Sequence, residues 1–272
     1  MGRRAPEWLA ETGMARAYHA ATLRAALRQV ILVAKYAMKP TRHNLVVISC
    51  EHGGRAVPGA YASLFAGHES VLDSHRGWDP GALALGRRMA NALGVPLHPA
   101  TTTRLLVELN RSMGHPQLFS EFTRGLPPEQ RLEIMRRNYR PHRDAVEGAV
   151  ARHIAAGYQV IHIASHSFTP VMNGVVRRAD VAWLYDPRRA GEKAFAAAWL
   201  MDFATRWPAL RLRRNYPYQG RADGLMSLLR KRFADDSYVG IELEVNQGFA
   251  LAGGKPWAEL QLALTESLAA VS

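Results

Sequence analysis

LVVISCEHGG, residues 45–54, passes from an apolar run to a charged pair and two glycines within ten positions. A short stretch rich in branched apolar side chains marks a strand buried on both faces, which belongs in a parallel sheet covered by helices. The residues that follow it, Glu51-His52-Gly53-Gly54, then fall beyond the carboxyl end of that strand. In open α/β sheets ligands bind there.

Outward from this run the chain alternates strands and helices. Strands are read at residues 95–98, 103–109, 158–165, 179–185, 210–213 and 238–245, and helices at 81–93, 190–207, 224–233 and 257–270. Residues 128–156 form a long helical region bent near Pro141. The alternation predicts an α/β fold with a largely parallel sheet. No repeat or linker interrupts it, so residues 45–272 are read as one domain.

The first 44 residues differ: residues 8–38 read as a basic amphipathic helix ended by Pro40. Such a segment is a packing helix, a targeting-like extension, or upstream sequence ahead of a true start at Met38.

At 272 residues with 48% hydrophobic side chains the chain can fill a core, which excludes disorder as its main state. The single cysteine, Cys50, forms no internal disulfide and no cysteine-based zinc module, so a reduced, cytoplasmic protein is expected. No apolar run spans a membrane, the longest being broken by Arg28 and Lys35. The net charge of +12 raises nucleic acid as a partner. Only five of the 35 basic residues are lysines, however, and the arginines are scattered rather than in blocks. With no nucleic-acid-binding motif beside them they read as solvated surface, and a specific nucleic-acid partner is not expected.

The strand ends carry the chemistry. His52 follows the first strand, His166 the strand at 158–165, Asn110-Arg111 the one at 103–109, and Glu244 closes the one at 238–245. Two imidazoles and a carboxylate that leave a fourth position open are the layout of a catalytic zinc site. The carboxylate is either Asp79, otherwise a cap of the helix at 81–93, or Glu51, which needs an irregular turn to share an ion with its neighbour His52. His162, inside its strand, reads as a hydrogen-bonded core residue. Glu242 and Glu244 share a strand face, and Glu244, nearer the end, is the candidate general base. Arg104, Asn110 and Arg111 suit a carboxylate, because arginine grips its two oxygens with a planar fork; Arg104 could instead form an ion pair with Glu108. Arg177 is a further candidate contact.

Five segments in this order resemble the N-formylglutamate amidohydrolase family: residues 49–58, His75 to Ala82, 104–111, 166–170 and 241–246. The resemblance runs from about residue 45 to 264. It implies a relationship in fold to zinc carboxypeptidases and aspartoacylase-like enzymes, a three-layer α/β/α architecture around a mostly parallel mixed sheet. It also implies His52 and His166 as zinc ligands, Glu244 as the catalytic carboxylate, and Arg104, Asn110 and Arg111 as the carboxylate-binding group. The carboxypeptidase-type pattern has a glutamate three residues after the first histidine. Arg55 stands there, so the third ligand comes from elsewhere, which favours Asp79. Histidine-degradation deformylases carry Pro-His-Ser-Gly where this chain has Glu51-His52-Gly53-Gly54, which points to a broader branch. The expected reaction is zinc-dependent hydrolysis of N-formyl-L-glutamate, or a similar small anionic N-acyl amino acid, to formate and L-glutamate. A zinc peptidase acting on short peptides and a noncatalytic anion-binding protein are the competing readings.

Overall fold

The computed structural model describes residues 43–272, within a compact unit comprising Pro40–Ser272. The helix read at residues 8–38 lies outside the described residues.

Six strands form one sheet in the order β2-β1-β3-β8-β6-β7. They are β1 (Asn44–Cys50), β2 (Leu97–Pro99), β3 (Gln159–Phe168), β6 (Val181–Leu184), β7 (Leu212–Arg214) and β8 (Tyr238–Asn246). β6 runs antiparallel to β8 and every other neighbouring pair is parallel. β4 (Val171–Met172) and β5 (Val175–Val176) make a separate small hairpin. β3 is buried along its whole length and β8 nearly so, as central strands covered on both faces must be.

The helices are α1 (Glu69–Asp73), α2 (Ala82–Leu93), α3 (Pro128–Ile134), α4 (Arg140–Ala155), α5 (Ala190–Arg206), α6 (Leu225–Arg232), α7 (Gln247–Ala252) and α8 (Gly254–Val271). On one face of the sheet Val146 and Val150 of α4 and Leu225 and Leu229 of α6 pack against Val47, Val160 and Tyr238. On the other, α2 and α5 pack on the strands and α8 packs on both. Trp183 of β6 meets Trp199 of α5 edge to face at 5.8 Å, a pairing worth about 1 kcal/mol beyond the area it buries. The result is the expected three-layer α/β/α sandwich. No described helix is long and apolar enough to cross a membrane.

Three neighbouring strands share one buried polar knot. His162 of β3 meets Ser49 Oγ of β1 at 2.8 Å through Nε2 and the Tyr238 hydroxyl of β8 at 2.9 Å through Nδ1. With both nitrogens partnered the ring is satisfied in the core, as its position within the strand predicts.

Three sequence expectations change. Residues 103–109 are no strand. Leu105, Leu106, Val107 and Leu109 are all buried, and they fill a second core with Phe65, Leu118, Ile134 and Tyr139. The backbone there turns, Arg104 N–H donating to Gly77 O and Thr103 Oγ donating to the same carbonyl. The apolar run thus reflects burial under a loop rather than pairing in the sheet. β3 continues to Phe168, so His166 lies inside it rather than beyond its end. The bend expected near Pro141 is a wide π turn at Met135–Tyr139 between α3 and α4, placed where proline removes a helical N–H.

Candidate active site

β1 ends at Cys50, and the chain then turns between the sheet and the loop at residues 100–102. Gly53 N–H donates to Ala100 O at 3.0 Å. A Cβ on Gly54 would stand 2.5 Å from Thr101 O, so only glycine permits this approach. His52 is thereby fixed at the strand end. Its carbonyl accepts the Asp79 N–H at 2.9 Å, tying the segment before α2 to the same point. Gly81 occupies the helix cap, with a left-handed φ of 84°, so the Asp79 carboxylate is not used for capping.

That carboxylate points instead at two histidines. Asp79 Oδ2 lies 3.3 Å from His52 Nδ1 and 3.0 Å from His166 Nδ1. One ligand atom from each residue lies within 4.8 Å of the other two, and all three residues are buried. The far side of each ring faces another carboxylate. His52 Nε2 bonds Glu108 Oε1, and His166 Nε2 lies 3.1 Å from Glu51 Oε2. Every nitrogen of the two rings therefore lies against a carboxylate oxygen, Nδ1 of each against Asp79 and Nε2 against Glu108 or Glu51. The three ligand atoms lie close enough together to hold a metal ion. Two imidazoles and one carboxylate suit a divalent ion such as zinc. Glu51, the alternative to Asp79, faces the opposite nitrogen of His166.

The electrostatics agree. Burial alone would lift the Asp79 carboxyl, yet His52, His166 and Arg104 hold it well below the ordinary carboxylate range. Glu108 is likewise held low against its burial, by Arg104 and His52. Glu51 is held low by His142 and His166. Burial would depress His166, but Asp79 and Glu51 raise it well above an ordinary imidazole.

Glu244 is the exception among these carboxylates. Burial pushes its pKa up to about 8, with Asp79 and Glu242 adding like charge, and its buried Oε2 has no hydrogen-bond partner. It stands beside His166 in the parallel register of β3 and β8. Glu242, on the same strand face, accepts a hydrogen bond from Asn110 Nδ2 at 3.1 Å.

A cavity of about 340 Å³ gathers His52, Asp79, Arg104, Asn110 and Arg111 with His166 and Glu244. Their engagements differ. Arg104 is taken up by Glu108 at 2.7 Å and Asp79 at 3.2 Å, so the pairing with Glu108 holds and extends to the centre itself. Asn110 donates Nδ2 to Glu242 and accepts the Leu225 N–H at the start of α6 through Oδ1. Arg111 donates Nη1 to the carbonyls of Asn110 and Asp223, and leaves a buried Nε without a partner. Arg177 does not line the cavity. Its guanidinium lies 5.0 Å over the ring of Tyr218, which does.

Sequence reasoning passed over Glu108, His75 and His142. Glu108 was visible only as a partner for Arg104; a carboxylate inside an apolar run is the signal that something buried needs it. His75 lines the cavity. His142, on α4, carries no such signal, since α4 reaches Glu51 only through the packing of the helix on the sheet.

Residues 45–250 match the N-formylglutamate amidohydrolase family. Two solved structures are similar. One, a gene product from Agrobacterium tumefaciens, is 27% identical with a TM-score of 0.69, over 83% of this chain and 91% of that one. The other, N-formylglutamate amidohydrolase from Ralstonia eutropha JMP134, is 18% identical with a TM-score of 0.60, over 86% of this chain and 95% of that one, and shares the fold. No curated protein matches the chain significantly. With most of its length matched, and with one cavity gathering residues from all five of the segments that carried the resemblance, the chain belongs to the N-formylglutamate amidohydrolase family of hydrolases.

Proposed function

We propose that the protein hydrolyses the amide bond of a small anionic N-acyl amino acid, with N-formyl-L-glutamate as the lead substrate and formate and L-glutamate as products. The observation that carries this reading is the convergence of His52 Nδ1, Asp79 Oδ2 and His166 Nδ1 beside the unpartnered Oε2 of Glu244. His52, Asp79 and His166 would hold a zinc ion. When bound, it supplies a Lewis acid that polarises the scissile carbonyl and acidifies water toward neutrality.

Glu244 takes a proton from the attacking water as oxygen adds to the acyl carbon, and returns it to the departing nitrogen as the C–N bond breaks. Its unpartnered Oε2 is free for both transfers. Arg111 turns its spare Nε to the α-carboxylate. A second carboxylate meets Arg177 and Tyr218 at the rim, since the guanidinium of Arg104 is already held by Glu108 and Asp79.

A substrate panel tests the reading. Release of free amine is followed for N-formyl-L-glutamate, N-acetyl-L-glutamate, N-formyl-L-leucine and a dipeptide ending in glutamate. The formyl-glutamate compound should be turned over most efficiently. Faster cleavage of the dipeptide than of every acyl amino acid would replace this reading with a peptidase.

A further inference from the structure

Each histidine of the centre has a carboxylate behind it, but the two carboxylates are held differently. Glu108, behind His52, also accepts from Arg104 and from the Asn110 N–H at 2.9 Å, so it is built into the wall of the cavity. Glu51 serves imidazoles alone. Its Oε2 lies 3.1 Å from His166 Nε2 and its Oε1 lies 3.3 Å from His142 Nε2, with the side chain only 1% exposed. Glu51 Oε2 and His166 Nε2 are both buried and make no regular hydrogen bond, and at 3.1 Å each is the polar atom the other faces. A buried carboxylate without partners is costly, and one wedged between two rings is held in place by them.

The two nitrogens of an imidazole point away from each other. Glu51 on the Nε2 side of His166 therefore cannot reach an ion on the Nδ1 side, and its influence must pass through the ring. We propose that Glu51 is a positioning residue for His166: it fixes the proton on Nε2 and the orientation of the ring, so that Nδ1 faces Asp79, while His142 of α4 braces Glu51 from behind. Carboxylates in this outer position orient metal-binding histidines and raise their basicity. The proposal rests on the reading of His52, Asp79 and His166 as metal ligands.

Zinc affinity, measured on chelator-stripped protein by competition with a chromophoric chelator, separates the two ideas. Wild type, Glu51→Ala, Glu51→Gln and His166→Ala are compared, with folding followed by circular dichroism. Glu51→Ala should bind zinc roughly 10–100-fold more weakly than wild type. Glu51→Gln, which keeps the shape and one acceptor, should also bind zinc more weakly than wild type but by less, and it decides the matter alone if the alanine variant does not fold. Histidine ¹⁵N resonances supply a second readout: His166 should hold its proton on Nε2 in wild type and become a mixture of tautomers in Glu51→Ala. Zinc affinity for Glu51→Gln equal to wild type, with His166→Ala having lost zinc, would overturn the positioning role and leave the metal site standing. A wild type that takes up no zinc would overturn both.

Discussion

Glu244 of β8 stands directly across from His166 of β3 in the parallel register, and Glu242, two residues earlier on the same face, stands across from Ala164. Two carboxylates on one strand face thus have different surroundings. Glu242 is tied to Asn110, whereas Glu244 is buried beside the His-Asp-His centre with an unpartnered oxygen.

Replacing Glu244 by glutamine keeps its volume and removes its basicity. The expected outcome is a fall in kcat of about 10²–10⁴-fold, the usual worth of a general base, with zinc content unchanged. Steady-state kinetics beside elemental analysis check this, and full activity in the variant would remove Glu244 from the chemistry.

Arg111 has a different signature. If its free Nε grips the α-carboxylate, Arg111→Lys replaces a planar fork with a point charge. KM for N-formyl-L-glutamate should rise by roughly 10–100-fold, the worth of a charged hydrogen bond, with a smaller change in kcat. An unchanged KM would assign the carboxylate to another residue.

The His162 knot makes a prediction about acid. Burial pushes this imidazole's pKa down to about 3, far below that of the unfolded chain near ~6.5. Between those values the unfolded chain binds a proton that the folded one refuses. The stabilising contribution of neutral His162 is therefore full above about pH 6.5, and is lost as the pH falls toward the folded value, at about 1.4 kcal/mol per pH unit. Urea unfolding with chelator present should show wild type losing about 2 kcal/mol from this group between pH 7 and pH 5. His162→Phe should be less stable at pH 7 but lack that portion of the pH dependence. Parallel pH profiles for the two proteins would contradict it.

Much of this was legible in the residues. The run at 45–50 and the strand at 238–245 announce themselves through branched apolar side chains, and the positions beyond or near their ends locate His52 and Glu244. Residues 103–109 misled because an apolar run reports burial, and burial under a loop looks the same as burial in a sheet. The choice between Asp79 and Glu51 could not be read locally. It depends on which nitrogen of His166 each approaches, a fact created by the packing of β1, β3 and the segment before α2. The bracing of Glu51 by His142 is more remote still, since those residues lie 91 positions apart and meet only when α4 docks on the sheet.

Metal binding by His52, Asp79 and His166 is tested most directly by metal content. Protein purified without chelator or affinity metal is analysed for bound elements beside His166→Ala. About one zinc per chain is expected in wild type, with its loss in a folded variant. A folded wild type that neither contains nor takes up a divalent ion would contradict it.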